Sequence, residues 1–176
     1  HAEGIVHRDI KPDNVFLHHD ATGREVVKVL DFGVAKLLDD SKASLRSLTM
    51  SGSLVGTPQY MAPERLSEQA YDGRSDIYAV GIILFQCLIG RLPFPSDGNL
   101  FAMIVTQMKT PPPRLIEIDP TIPEAVQRTV LAALEKDPEL RPSAAELAAQ
   151  LRQWPAVPDR SISSDRSVSS DRSTAG

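Results

Sequence analysis

The feature that most constrains this chain is His7-Arg8-Asp9-Ile10-Lys11-Pro12-Asp13-Asn14, followed by Asp31-Phe32-Gly33 and then by Ala62-Pro63-Glu64. Between the first two blocks lie two runs rich in β-formers, Asn14-Val15-Phe16-Leu17 and Glu25-Val26-Val27-Lys28-Val29-Leu30. Ala21-Thr22-Gly23-Arg24 supplies turn chemistry between them, so the pattern predicts a β-hairpin. Antiparallel pairing would bring the second run back beside the start of the first, with Asn14 at one end and Asp31 at the other. Asp9, Lys11, Asn14 and Asp31 then offer a proton acceptor, a cation suited to phosphate, and hard oxygen donors of the kind Mg²⁺ takes.

The three blocks stand in the order of the protein-kinase signature set. His7, Asp9, Lys11, Pro12 and Asn14 alone match one short pattern that chance would produce on the order of once in a few million starts, at average residue usage. Over roughly residues 1–154 the chain resembles a serine/threonine protein kinase, most closely the bacterial branch. The resemblance implies an α+β, kinase-like fold, mostly helical, with a short hairpin carrying the catalytic and metal-binding loops. The kinase set also places a Gly-rich phosphate loop and a strand lysine ahead of the catalytic loop. Only His1-Ala2-Glu3-Gly4-Ile5-Val6, which reads as the last turn of a helix, precedes it here. Residues 1–154 are therefore expected to form the C-terminal lobe, with the N-terminal lobe missing and no competent ATP site in this piece alone.

The resemblance also assigns roles residue by residue. Asp9 is the base that takes the proton of a protein hydroxyl. Lys11 reaches the γ-phosphate of ATP, and Asn14 and Asp31 hold Mg²⁺. Lys11 and Thr57 point to serine or threonine acceptors on protein substrates. Arg8 matches the arginine that pairs with a phosphate on the activation loop, a suitable partner for a guanidinium. Thr49 and Ser51 are the expected phosphosites, which implies contact between kinase molecules during autophosphorylation. Glu64 and Arg141 match a buried ion pair. Asp76 matches the acceptor of catalytic-loop N–H groups, and it could also serve as the N-cap of its helix. His7, Phe32 and Gly33 match structural positions of the loop and the metal-binding turn.

Composition sets outer limits. Hydrophobic content of 41% and charged content of 24% suit one folded domain with an appendage. The formal net charge of −4 gives no basic footprint for nucleic acid. The single cysteine, Cys87, excludes an internal disulfide framework, fits a reducing cytoplasmic setting, and reads as a small buried hydrophobe in an apolar run. The stretch from Ile77 to Ile89 is too short to span a bilayer. His18-His19 has no third ligand nearby in sequence, so an exposed turn is the better reading than a metal site.

Further along, Asp76 to Leu88 reads as a buried helix stopped by Gly90, and Asn99 to Lys109 as a second helix. Pro111-Pro112-Pro113 reads as a rigid connector. Pro123 to Lys136 carries a helical stripe at Val126, Val130, Leu131 and Leu134. Ser143 with Glu146 three residues on predicts a capping box, and Trp154 a plug at the end of the core. Residues 39–53 are hydroxyl-rich and aperiodic, and read as a mobile loop. After Pro155 an Asp-Arg-Ser repeat begins, so 155–176 is read as a disordered tail or linker. With part of the usual cover missing, the helix at Asp76 to Leu88 is expected to expose a large apolar patch. A competing reading is a non-catalytic interaction module, either a pseudokinase or a natural truncation; loss of Asp9, Asn14 or Asp31 would have favoured it, and all three are present.

Overall fold

The computed structural model describes residues 1, 5–30, 58–67, 69–95 and 98–155. Asp31, Phe32, Gly33, Thr49, Ser51, Thr57, the hydroxyl-rich stretch 39–53 and the tail from 156 onward lie outside the described residues.

A 3₁₀ turn at Pro12–Asn14 leads directly into β1 (Val15–His19), which pairs antiparallel with β2 (Glu25–Val29). Val15 faces Val29 and His19 faces Glu25. Asp20 builds the turn: its carboxylate accepts from the Thr22 N–H at 2.8 Å, the Thr22 hydroxyl at 2.6 Å and the Arg24 N–H at 3.1 Å. These bonds favour the ionised carboxylate, Thr22's hydroxyl most of all, and hold the Asp20 carboxyl below its ordinary range. Gly23 takes φ 81°, a left-handed value that a side chain would oppose.

The remaining described residues form a helical body. Its helices are α1 (Pro63–Leu66), α2 (Arg74–Ile89), α3 (Leu100–Lys109), α4 (Leu115–Ile118), α5 (Glu124–Ala133) and α6 (Ala144–Arg152). Short 3₁₀ turns lie at Pro58–Tyr60 and Pro138–Leu140. The long helix α2 is central, packing against α4, α5 and both of these turns. Tyr78, Ile82 and Phe85 recur at helical spacing and are fully buried against Leu115, Val126, Val130 and Leu134. Burying each such side chain stabilises the fold by roughly 1.5–3 kcal/mol. Gly81 lets the α2 backbone come close to α5, because a Cβ there would meet the Ala133 Cβ and Leu134 Cδ2 at 3.0 Å.

Local signals fix the helix ends. Asn99 caps α3 by accepting from the Ala102 N–H at 3.0 Å, and Ser143 and Glu146 close a full capping box on α6. Gly90 ends α2 in the left-handed conformation at φ 82°, with its N–H bonded to the Gln86 carbonyl. Trp154 is half-buried against the main core and donates its indole N–H to the Thr129 hydroxyl at 3.3 Å.

Three expectations need correction. Cys87 is exposed, because it sits on the side of α2's last turns that turns away from the Tyr78–Ile82–Phe85 stripe. Asp76 is not the N-cap of α2: the helix begins at Arg74, and Asp72 accepts from the first helical N–H at 2.8 Å. That leaves Asp76 inside the first turn. Residues 5 and 6 are not helical, since an isolated turn does not recover the cost of nucleation. Exposed large apolar side chains lie on and beside the hairpin, at Ile5, Phe16, Leu17, Val27, Val29 and Leu30, and also on the body, at Leu100 and Phe101 of α3, Ile118 of α4 and Leu140. On α2, Cys87 is exposed and Val80, Ile83, Leu84, Leu88 and Ile89 are half-buried, while the opposite side packs against α4 and α5. No helix among the described residues is long and apolar enough to cross a membrane.

Candidate active site

The loop before the hairpin is pinned to the start of α2. One oxygen of Asp76 accepts the His7 N–H at 2.7 Å and the other accepts the Arg8 N–H at 2.9 Å. The first of these oxygens also meets the His1 ring at 3.0 Å. A carboxylate in the first turn of a helix sits where the backbone dipole favours negative charge, so a buried Asp76 is well placed to hold two amides.

Arg8 itself has φ 69°, the one positive value at a non-glycine among the described residues. For a residue with a Cβ this costs about 1–2 kcal/mol and persists only when its surroundings over-determine it. The surroundings do so. Asp76 holds the Arg8 N–H, and Arg65 Nη1 donates to the Arg8 carbonyl at 2.5 Å.

His7 ties the loop to the far end of the hairpin. Its Nδ1 accepts the Asp9 N–H at 3.3 Å, and its Nε2 lies 3.1 Å from the Leu30 carbonyl. One neutral tautomer, protonated at Nε2, satisfies both bonds. Leu30 in turn donates its N–H to the Asn14 carbonyl at 2.9 Å. Leu30 immediately precedes Asp31 in the chain, so the two ends of the hairpin are closed on each other at residues 14 and 30.

Asp9, Lys11 and Asn14 form one network. Lys11 Nζ lies 3.4 Å from Asp9 Oδ2. Asn14 Nδ2 donates to the same oxygen at 3.2 Å and to the Asp9 carbonyl at 2.8 Å. Both partners are acceptors only, so the Asn14 amide must present its NH₂ to them. Its carbonyl oxygen is then the atom left as a hard donor for a cation. That donor chemistry fits Mg²⁺, with Asp31 as the second oxygen ligand that the sequence offers. Among the described residues no three His, Cys, Asp or Glu side chains are grouped to hold a metal. His19 lies 3.6 Å from Glu25 across the hairpin.

Behind this loop, Glu64 of α1 is clamped by Arg141 in a bidentate pair, with both contacts at 2.7 Å and both side chains buried. Arg141 also donates to the carbonyls of Glu135, Arg74 and Lys136, so its charge is well satisfied. It lies 4.9 Å from the centroid of the Tyr78 ring. Burial raises the Tyr78 phenol above its ordinary range, opposed by Arg141 and aided by Glu64.

Sequence reasoning passed over four residues near the site. Arg65 and Tyr71 brace the loop. Gln107, fully buried in α3, donates to the carbonyls of Pro58 and Met61. Lys136 lies over the Phe94 ring at 4.0 Å and donates to the Tyr78 hydroxyl at 3.2 Å and to the Gln107 carbonyl. Burial, then Arg141, pushes the Lys136 amine down to about 8, against a smaller opposing effect of Glu135. Gln107 follows Met103 by four places on an apolar helix face, the only local sign of its burial.

A family model described as protein kinase domain matches residues 1–152. Serine/threonine-protein kinase Pkn1 of Myxococcus xanthus is 48% identical over 141 residues, covering 80% of this chain and 20% of that protein. Serine/threonine-protein kinase pkn3 of the same organism is 43% identical over 147 residues, covering 83% and 27%. Serine/threonine-protein kinase PknJ of Mycobacterium tuberculosis is 39% identical over 150 residues, covering 84% and 25%. The chain thus spans about a fifth to a quarter of the length of these relatives.

Proposed function

Because the chain belongs to the protein kinase domain family, we propose that it carries the chemistry-bearing lobe of a serine/threonine kinase, which moves the γ-phosphoryl group of ATP to hydroxyls of protein substrates. The observation that supports this most is the Asp9 carboxylate held in one network with Lys11 and Asn14, on a loop pinned by Asp76. Asp9 orients the substrate hydroxyl and takes its proton as the oxygen attacks phosphorus. Lys11, beside Asp9, offsets charge on the transferring group. Asn14 and Asp31 are the residues that would hold Mg²⁺, which when bound neutralises phosphate oxygens. Little covalent chemistry is asked of the protein, so positioning and charge carry the rate.

Thr57 and Lys11 set the preference for serine and threonine. Arg8 would receive a phosphate at Thr49 or Ser51, added by another copy of the kinase. The Gly-rich phosphate loop and strand lysine of the kinase set are not among the motifs of these 176 residues, which are therefore expected to be inactive on their own.

The test uses the longest polypeptide its gene encodes, γ-labelled Mg-ATP and a basic protein acceptor. The expected product is phosphoserine and phosphothreonine, with no transfer by the isolated chain. Phosphotyrosine as the main product, or ordinary turnover by the isolated chain, contradicts the reading.

A further inference from the structure

Arg65 directly follows the Glu64 that anchors α1 to Arg141. Its guanidinium has different partners. Nη1 donates to the carbonyl of Arg8, 57 positions earlier, and the guanidinium carbon sits 5.0 Å from the Tyr71 ring centroid. The Arg8 guanidinium lies over the same ring at 5.7 Å. Tyr71 therefore gives both cations an aromatic face and limits where Arg65 can swing.

The carbonyl that Arg65 grips belongs to the peptide joining Arg8 to Asp9. Rotation of that peptide changes ψ of Arg8 and φ of Asp9, and would swing the Asp9 side chain away from Lys11 and Asn14. Asp76 holds only the nitrogen side, through the N–H groups of His7 and Arg8. Among the bonds described, Arg65 supplies the grip on the oxygen side.

We propose that Arg65 is a positioning residue for the transfer reaction. By bonding the Arg8 carbonyl it fixes the peptide before Asp9 and so sets the aim of that carboxylate. The proposal rests on the reading of Asp9 as the base. It also gives α1 two duties on adjacent residues: Glu64 ties the helix to the body, and Arg65 passes that fixed position to the loop.

The test compares Arg65→Met and Arg65→Lys in the longest polypeptide the gene encodes, with Asp9→Asn as reference. Methionine keeps the apolar stem and loses the donor; lysine keeps a donor. Arg65→Met is expected to lower kcat about 10- to 100-fold, the scale of a small misplacement of a reacting group, with the KM for ATP unchanged within about twofold. Arg65→Lys is expected to restore part of kcat. Amide hydrogen exchange in a peptide spanning residues 5–10 should speed up about tenfold in Arg65→Met, while exchange in α2 stays the same. A kcat within about twofold of wild type, no recovery with lysine, or equal acceleration of exchange in α2 each overturns the proposal. Asp9→Asn separates the two readings. If it retains transfer, the role of Asp9 falls; if it is inactive while Arg65→Met is fully active, only the role of Arg65 falls.

Discussion

The hairpin and the helical body solve the burial problem differently. In the body, α2 is wrapped by α4, α5 and the neighbouring turns, and Ile82, Phe85, Val126 and Val130 are fully buried. In the hairpin, Leu17 is 69% exposed and Val27 62% exposed, and the strands are held by their own ladder and by the Asp20 turn. A two-stranded hairpin alone is marginal in water. Here its ends are closed by backbone and side-chain bonds at residues 7, 14 and 30. The body therefore carries the stability of the described residues, and the hairpin borrows rigidity from it through a few polar contacts at its base. Those contacts surround Asp9.

The largest expected effect tests the body. Glu64→Ala removes one partner of the buried pair and leaves the Arg141 charge without its carboxylate, at a cost of about 3–5 kcal/mol in urea unfolding of the chain. A loss under about 1 kcal/mol would mean that the three carbonyls around Arg141 suffice and that the body is less dependent on this anchor.

Gly81→Val comes next. Extra carbon atoms at the α2–α5 contact must push against Ala133 and Leu134, and the expected loss is about 1–3 kcal/mol by the same measurement.

Lys136 gives a pH-dependent test of the body. Its folded-state value of about 8 lies below the ordinary 10.5, so between those limits the unfolded chain binds more protons than the folded one. The contribution of Lys136 to stability therefore rises as pH increases across that window, and is lost as pH falls back through about 8. The urea midpoint of wild type should gain on that of Lys136→Met between pH 7.5 and 9.5. A constant gap would contradict the burial of the charge.

The smallest effect belongs to the hairpin. Leu17→Ser with Val27→Ser should change the stability of the 176-residue chain by less than about 0.5 kcal/mol, because both side chains are already exposed. A loss above about 2 kcal/mol would erase the contrast between the two regions.

What was legible in the sequence follows the same division. Signals that act within a few residues were readable: the Asn99 cap, the Ser143–Glu146 box, the Gly90 stop and the Thr22-Gly23 turn all rest on chemistry local to one turn. The hairpin was readable from its valine runs, although β1 extends through His18 and His19, whose type gives little sign of a strand. The four-residue helices α1 and α4 were not, since neither is long enough to show a period. Cys87 misled because an apolar run does not say which side of its helix is covered. The contacts of Arg65 with Arg8 and of Lys136 with Gln107 join residues 57 and 29 positions apart, and only folding brings them together. The motif blocks made Asp9, Lys11 and Asn14 visible as a set, but not the bracing that fixes their geometry.

The most direct measurement of the central claim is single-turnover phosphoryl transfer by the longest encoded polypeptide, wild type against Asp9→Asn, with the thermal melt of each recorded alongside. The account predicts that Asp9→Asn loses transfer by about 100-fold or more, the scale of a positioned general base, while the melt moves little because Asp9 lies outside the buried core. Transfer within about threefold of wild type from a folded Asp9→Asn protein would contradict it.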